Sequence, residues 1–200
     1  PESATSGGIQ GPGRKPDSRP SRPTWREVIA RRPLRRLCGH RFLVSFGIST
    51  AWAFVPLYAV SSLGLSTYDA GIALGGITFI TAVIMSPGGY IADRVNRRML
   101  MIAGTTVLAV CLSAITWTSG FWALAFVCGM IGLPQGFYMP AGYALMVEQG
   151  RKMGMGATLG LYSTSLTFGL GVGPLVSGVL VDELGWRVAF VISGLLALIA

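Results

Sequence analysis

Apolar residues occur along this chain in long blocks that are separated by short polar connections. Five blocks of about 20 residues or more keep their charged residues at or beyond their ends: 42–61, 70–92, 100–118, 121–147 and 155–181. About 20 apolar residues of helix are needed to cross the hydrocarbon core of a bilayer, which is roughly 30 Å thick. The pattern therefore predicts five membrane-spanning helices, each boundary placed to within about four residues.

A sixth apolar block begins at Val188 and continues to Ala200. As a helix it would rise about 20 Å, which is short of a full crossing. We therefore expect residues 41–200 to form a domain of six spans, of which the last is truncated.

The residues before the first block predict two further segments. Residues 1–23 are rich in Gly, Pro, Ser and Arg, which predicts a disordered cytoplasmic tail or linker. Residues 24–40 begin with the capping-box pattern of Thr24 and Glu27 and carry apolar and basic residues together. They predict a short helix on the cytoplasmic membrane surface. A disordered basic linker is the alternative for this segment.

The positive charge indicates how the spans are oriented. The chain has 16 Lys and Arg against 8 Asp and Glu, and ten of the basic residues precede the first block. Five more lie in the second and fourth connections, whereas only Arg187 lies in a connection of the opposite side. Basic residues favour the cytoplasmic side, which places the N-terminal segment there. Since membrane topology accounts for the charge, we expect no nucleic-acid partner.

The candidate chemistry of the chain does not resemble that of an enzyme. The 3 Cys and 1 His have no metal-ligand spacing, and the connections between blocks are too short for a catalytic domain. We found no nucleophile–base pair and no phosphate-binding loop. The sequence therefore predicts neither an enzyme nor a bound metal or cofactor.

The connection between the second and third blocks carries Gly, Asp and Arg in a specific order. It is Gly89-Tyr90-Ile91-Ala92-Asp93-Arg94-Val95-Asn96-Arg97-Arg98. This run resembles the signature G-x-x-x-D-R-x-G-R-R of the major facilitator superfamily. Asn96 stands where the signature has its second Gly, and because Asn tolerates the left-handed conformation we expect the turn to survive.

The resemblance implies a conformational gate on the cytoplasmic side. Its members would be Gly89, Asp93, Arg94, Arg97 and Arg98, together with Glu148 and Arg151 after the fourth block. Carboxylates of the set would pair with guanidinium groups in one conformation and separate in the other. The alternatives are plain positive-inside anchoring for the loop and a solvated helix end for Glu148.

The fifth block resembles a second motif of the same family, the antiporter motif G-x8-G-x3-G-P-x2-G-G. Its members here are Gly160, Gly169, Gly173, Pro174 and Gly178, and Ser177 replaces one Gly. Small residues at this spacing allow close contact between helices in a membrane, and Pro174 would bend the span. We expect this motif to pack the fifth span against a neighbour.

The two resemblances cover residues 41–200 and imply an all-α integral membrane fold, in which six transmembrane helices form one half of a twelve-helix transporter. Gln135 and Gly136 match a pair in the first-half fourth span of drug transporters, but Gly132 stands where these carry Arg. Pro1-Glu2-Ser3 resembles the end of a first half. Both features favour the C-terminal half, whereas the antiporter motif favours the first.

The implied function is secondary active transport, with proton-coupled efflux of small amphiphilic compounds by alternating access as the leading hypothesis. The implied partners are the lipid bilayer, the other six-helix half, a small-molecule substrate and protons, and the implied location is the plasma (inner) membrane. The alternatives are an uptake permease for a small metabolite and a six-span scaffold or receptor that does not transport.

Ionisable residues deep within a span mark proton or ion pathways, and the predicted spans contain none at mid-depth. A titrating carboxylate is therefore expected in the other half. Substrate contacts in this half would be aromatic or neutral and polar, and six candidates lie on the first, fourth and fifth spans: Trp52, Tyr58, Gln135, Tyr138, Tyr162 and Thr167.

Overall fold

The computed structural model describes residues 31–200, and the six predicted helices are all present there. They are α1 Arg32–Ser61, α2 Thr67–Arg94, α3 Arg97–Ala114, α4 Phe121–Met153, α5 Met155–Leu184 and α6 Trp186–Ile199. A 3-10 turn at Ile115–Trp117 extends α3. The first five are long and apolar enough to cross a membrane, and α6 is shorter. Residues 31–200 contain no strand, which confirms the all-α prediction.

Helix α1 begins well before its predicted start. It begins at Arg32 instead of residue 42, because Pro33 lies in its first turn, where a missing N–H is tolerated, and does not interrupt it. The described part of the predicted surface segment, residues 32–40, therefore forms the first turns of α1. The tail, the capping box and the rest of residues 1–30 lie outside the described residues.

Helix α4 ends later than predicted. It was expected to end at residue 147, but it continues to Met153 and stops at Gly154, whose φ of +99° is accessible mainly to glycine. The extra turns are polar, so apolar content could not reveal them. Glu148 and Arg151 consequently lie within the last turns of α4.

Side-chain caps fix the starts of α2 and α3. Ser66 and Asp69 form a capping box at α2, in which each side chain binds the other residue's backbone N–H. Asn96 caps α3 by accepting a hydrogen bond from the backbone N–H of Arg98 at 3.1 Å. Its φ of −61° is ordinary, so the left-handed turn expected at Asn96 is wrong: the residue serves as a helix cap.

The contacts between helices follow a two-fold pattern: they stay the same when α1, α2 and α3 are replaced by α4, α5 and α6, and the reverse. Helix α2 packs on α4 and α5 packs on α1, while α3 contacts α4 and α6 contacts α1. Helices α3 and α6 also contact each other. Since two spans lie between the partners of each exchange, the partners run in opposite directions across the membrane. This is the arrangement of an inverted repeat.

Two helices present much of their apolar surface outward. In the apolar stretches of α2 and α5, only 17% of the residues are buried, compared with 61% in that of α1. Phe79, Val83, Phe168 and Leu175 are among their exposed side chains. Apolar surface of this extent fits contact with lipid or with another membrane domain.

Candidate functional site

Arg97 connects the charged residues of the α2–α3 connection with those near the end of α4. Its guanidinium lies 3.2 Å from the carboxylate of Asp93 at the end of α2 and 3.9 Å from that of Glu148 near the end of α4. Its Nε donates to the carbonyl of Ala92 at 3.4 Å. One side chain at the start of α3 thus contacts α2 and α4 together.

The other basic residues of the predicted gate are arranged differently. The guanidinium of Arg94 lies 4.2 Å from the ring centroid of Tyr90, one turn earlier on α2. Among the described residues, the ion pairs of 4 Å or less in this region involve Arg97 and not Arg94, Arg98 or Arg151. The geometry therefore assigns the link between the helices to Arg97.

Close packing of α2 on α4 depends on Gly88 more than on the predicted Gly89. A Cβ on Gly89 would lie 4.0 Å from Pro140, an ordinary contact, whereas one on Gly88 would collide with the carbonyl oxygen of Gly136. Pro140 has no N–H to bind that oxygen within α4. The carbonyl oxygen of Gly136 therefore lacks its usual hydrogen bond within α4, and Gly88, which has no side chain, packs against it.

Gly132 supports the same interface. A Cβ there would collide with the carbonyl oxygen of Ile77, and the hydroxyl of Thr81 donates to the carbonyl of Gly132 at 3.0 Å. An Arg side chain at position 132 would therefore have no room while α2 stays this close. The four-residue spacing of Gly132 and Gly136 on one helical face is the sequence signal that could have predicted this interface.

The antiporter-like motif of α5 packs against α1. A Cβ on Gly173 would collide with Ser49 Oγ and lie 2.8 Å from the carbonyl of Phe46, and Gly169 meets α1 in the same way. Ser177, the residue that replaces a Gly, places its hydroxyl 2.6 Å from that of Thr50. The substitution therefore adds a hydrogen bond across the interface.

Two motif residues take little or no part in this contact. A Cβ on Gly160 would meet no atom within 4 Å, and one on Gly178 would lie 3.6 Å from the ring of Phe54. Pro174 lies inside α5, as predicted. Among the described residues, tight packing is thus limited to the middle of the motif.

The six predicted substrate contacts divide into two sets. Trp52 and Thr167 are exposed, whereas Tyr58, Gln135, Tyr138 and Tyr162 are buried. Tyr58 packs edge-on against Trp186 and Phe190. The exposed pair is therefore available to a substrate in this conformation, and all six assignments remain predictions.

Arg41 is a buried cation, although it directly precedes the first predicted span. The extension of α1 puts it inside the helix, where it is 3% exposed. Its guanidinium carbon lies 5.3 Å from the ring centroid of Tyr162 and 5.9 Å from that of Tyr143. The spacing of Leu34, Cys38 and Arg41 on one helical face was the signal that could have predicted its burial.

Comparison with known proteins decides the family of this chain. The family model of the Major Facilitator Superfamily matches residues 37–200. The chain belongs to the major facilitator superfamily. The predicted family is thereby confirmed, and the chain is an integral membrane protein of a transporter family, not an enzyme.

Two relatives within the superfamily carry the same name. Multidrug resistance protein MdtG of Proteus mirabilis is 31% identical over 158 residues, which cover 76% of this chain and 39% of the relative. MdtG of Enterobacter lignolyticus is 33% identical over 154 residues, which cover 74% and 36%. This chain thus matches about two fifths of the length of these relatives.

Solved structures agree with the major facilitator fold. A bacterial homologue of the human drug peptide transporters PepT1 and PepT2 aligns with a TM-score of 0.72 at 18% identity, over 83% of this chain and 39% of that one. Tetrameric PepTSo2 aligns with a TM-score of 0.74 at 18% identity, over 84% and 38%. At such identity the likeness concerns the fold alone, and it confirms half of a major facilitator fold.

Proposed function

We propose that this chain is one six-helix half, the C-terminal one, of a secondary transporter that exports small amphiphilic compounds in exchange for protons. The relatives named as multidrug resistance proteins support export, because they match most of this chain at about 31% identity. The exposed apolar surfaces of α2 and α5 support a second membrane domain as partner.

Alternating access is the proposed mechanism. The matching contacts of α1–α3 and α4–α6 support it, because inverted repeats allow a central site to open towards either side of the membrane in turn. The contact of Arg97 with Asp93 and Glu148 carries the proposal for the gate. It would close the cytoplasmic side in one state and separate in the other.

The position of the acidic residues supports a proton carrier in the other half. Within residues 31–200 the carboxylates are near helix ends, at Asp69, Asp93, Glu148, Asp182 and Glu183. A coupling carboxylate normally lies deep in a span. The substrate would contact Trp52 and Thr167 on this half's side of the cavity. The protein would lie in the inner membrane, with its N-terminal segment on the cytoplasmic side.

An efflux assay tests this function. Cells that express the full-length protein are loaded with ethidium, and its fluorescence is followed after energisation. We expect faster loss of ethidium than in cells with the Asp93→Asn protein at equal expression, and collapse of the proton gradient should abolish the difference. Faster uptake than in these controls would favour the permease alternative. No ethidium movement beyond the control, across a panel of amphiphilic dyes, would favour a scaffold or receptor.

A further inference from the structure

The buried polar atoms without hydrogen-bond partners are concentrated in one part of the described chain. Among residues 31–200 they are Nε of Arg41, Oη of Tyr138 and both ring nitrogens of His40. His40 and Arg41 are neighbours on α1. Tyr138 lies on α4 one turn before Gly142, on the helical face that meets the hydroxyl of Tyr162, and the ring of Tyr162 in turn lies beside Arg41. Buried polar groups are almost always paired, so such a group of exceptions calls for an explanation.

Aromatic rings compensate the charge of Arg41 only in part. The described residues place no carboxylate within 4 Å of it. The rings of Tyr143 and Tyr162 lie 5.9 and 5.3 Å away, near the outer limit of about 6 Å for a cation–π contact. A carboxylate that binds a guanidinium through two parallel hydrogen bonds forms a stronger contact than these rings do.

The surroundings define the chemistry of a fitting ligand. One guanidinium balances one negative charge, and its planar donors match the two oxygens of a carboxylate. Tyr138 adds a hydroxyl donor, and the rings of Tyr143 and Tyr162 provide apolar, aromatic walls. A monoanionic organic acid with an aromatic or apolar body meets these conditions better than a phosphate, which would require more donors.

The position of the cluster connects it with transport. Arg41 lies on α1, Tyr138 and Tyr143 on α4, and Tyr162 on α5, the helices that we proposed to line the cavity. Tyr162 fits against α4 because Gly142 has no side chain: a Cβ there would lie 2.6 Å from its hydroxyl. Since Arg41 is 3% exposed, a ligand reaches it when α4 or α5 shifts against α1.

We propose that Arg41 and Tyr138 bind the carboxylate of transported amphiphilic acids. The inference rests on the proposed transport function and specifies a class of substrate. It assigns a role to Arg41, a buried cation that belongs neither to the proposed gate nor to the packing motifs.

Binding of a matched pair of probes tests the inference. The full-length protein is purified in detergent and titrated with 2-naphthoate and with 2-naphthamide, which has the same body without the charge. We expect naphthoate to bind about tenfold or more tightly than naphthamide, as a charged hydrogen bond to Arg41 implies. Arg41→Gln should abolish the preference, Arg41→Lys should keep part of it, and Tyr138→Phe should reduce it.

Arg36→Gln is the matched control, because it removes an exposed cation from the same helix and should leave the preference unchanged. A wild-type protein that binds both probes equally would overturn the inference, and so would a preference that survives Arg41→Gln. If Arg41→Gln does not fold, Arg41→Lys and Tyr138→Phe decide in its place. If the protein exports ethidium but shows no preference for naphthoate, this inference is contradicted and the proposed function is not. If it prefers naphthoate but transports nothing, the proposed function is contradicted.

Discussion

The guanidinium of Arg97 lies 3.9 Å from the carboxylate of Glu148, and this contact joins the start of α3 to the end of α4. The side chain of Arg97 is 33% exposed and that of Glu148 is 54% exposed. Ion pairs with such exposure contribute roughly 0.2–1 kcal/mol. A contact of this strength can bias two conformations and still separate in every transport cycle.

We expect Glu148→Gln and Asp93→Asn to slow turnover of the full-length transporter more than they weaken substrate binding. Each change removes one carboxylate partner of Arg97. In the proposed gate these contacts stabilise one conformation and do not touch the substrate. Initial rates and binding are measured side by side in reconstituted vesicles. Arg14→Ala, in the N-terminal segment, is the control and should leave both quantities unchanged.

The double variant Arg97→Gln/Glu148→Gln should be no slower than the slower of its two single variants. Two residues that act through one contact lose it once, so their effects do not add. Fully additive losses of turnover would show that the two side chains act separately.

Gly173→Ala should lower the thermal stability of the protein in detergent. The added methyl group would collide with Ser49 on α1, and overpacking of this kind costs about 1–3 kcal/mol. Gly171→Ala on the same helix is the control, since its Cβ would meet no atom within 4 Å. Equal thermal stability of the two variants would contradict a tight contact between Gly173 and α1.

Gly88→Ala should separate α2 from α4. Its methyl group would collide with the carbonyl of Gly136, and backbone cannot move aside as a side chain can. Gly75→Ala, elsewhere on α2, has open space and should be neutral or slightly stabilising, because Ala favours helix by roughly 0.5–1 kcal/mol. Disulfide trapping of cysteine pairs across α2 and α4 would report the separation.

Gly185→Ala should destabilise the connection between α5 and α6. Gly185 has φ +84° and ψ 169°, a region that is essentially restricted to glycine, so a side chain there costs of order 1–3 kcal/mol. The midpoint of thermal unfolding measures the loss. Gly71→Ala, a helical position with open space, serves as the comparison, and equal midpoints for the two variants would contradict the assigned strain.

The isolated 200-residue chain should be poorly behaved in detergent and should not transport. Its α2 and α5 leave large apolar surfaces such as Phe79 and Leu175 uncovered, which promotes association. Size-exclusion chromatography and vesicle transport measure the two properties. Saturable transport by this chain alone would contradict the proposal that it acts as one half of a larger protein.

The six helices, the all-α class and the family could be predicted from local patterns in the sequence. Membrane spans can be predicted in this way because each needs about 20 apolar residues and satisfies its own backbone hydrogen bonds. The motif residues around Asp93 and Gly173 were found for a similar reason, since their types and spacing are local. The predicted ends of two helices were wrong. Helix α1 begins earlier than predicted, with Pro33 in its first turn, and α4 continues through polar turns after residue 147.

The contacts between residues of different helices became known from the packing of the helices. The packing assigns the link between α2, α3 and α4 to Arg97, places Gly88 at the tight α2–α4 contact, and buries Arg41 beside Tyr143 and Tyr162. Such contacts depend on the rotation of each helix about its axis and on its distance from its neighbours. Pattern and composition fix neither quantity, because the packing of all six helices sets them together.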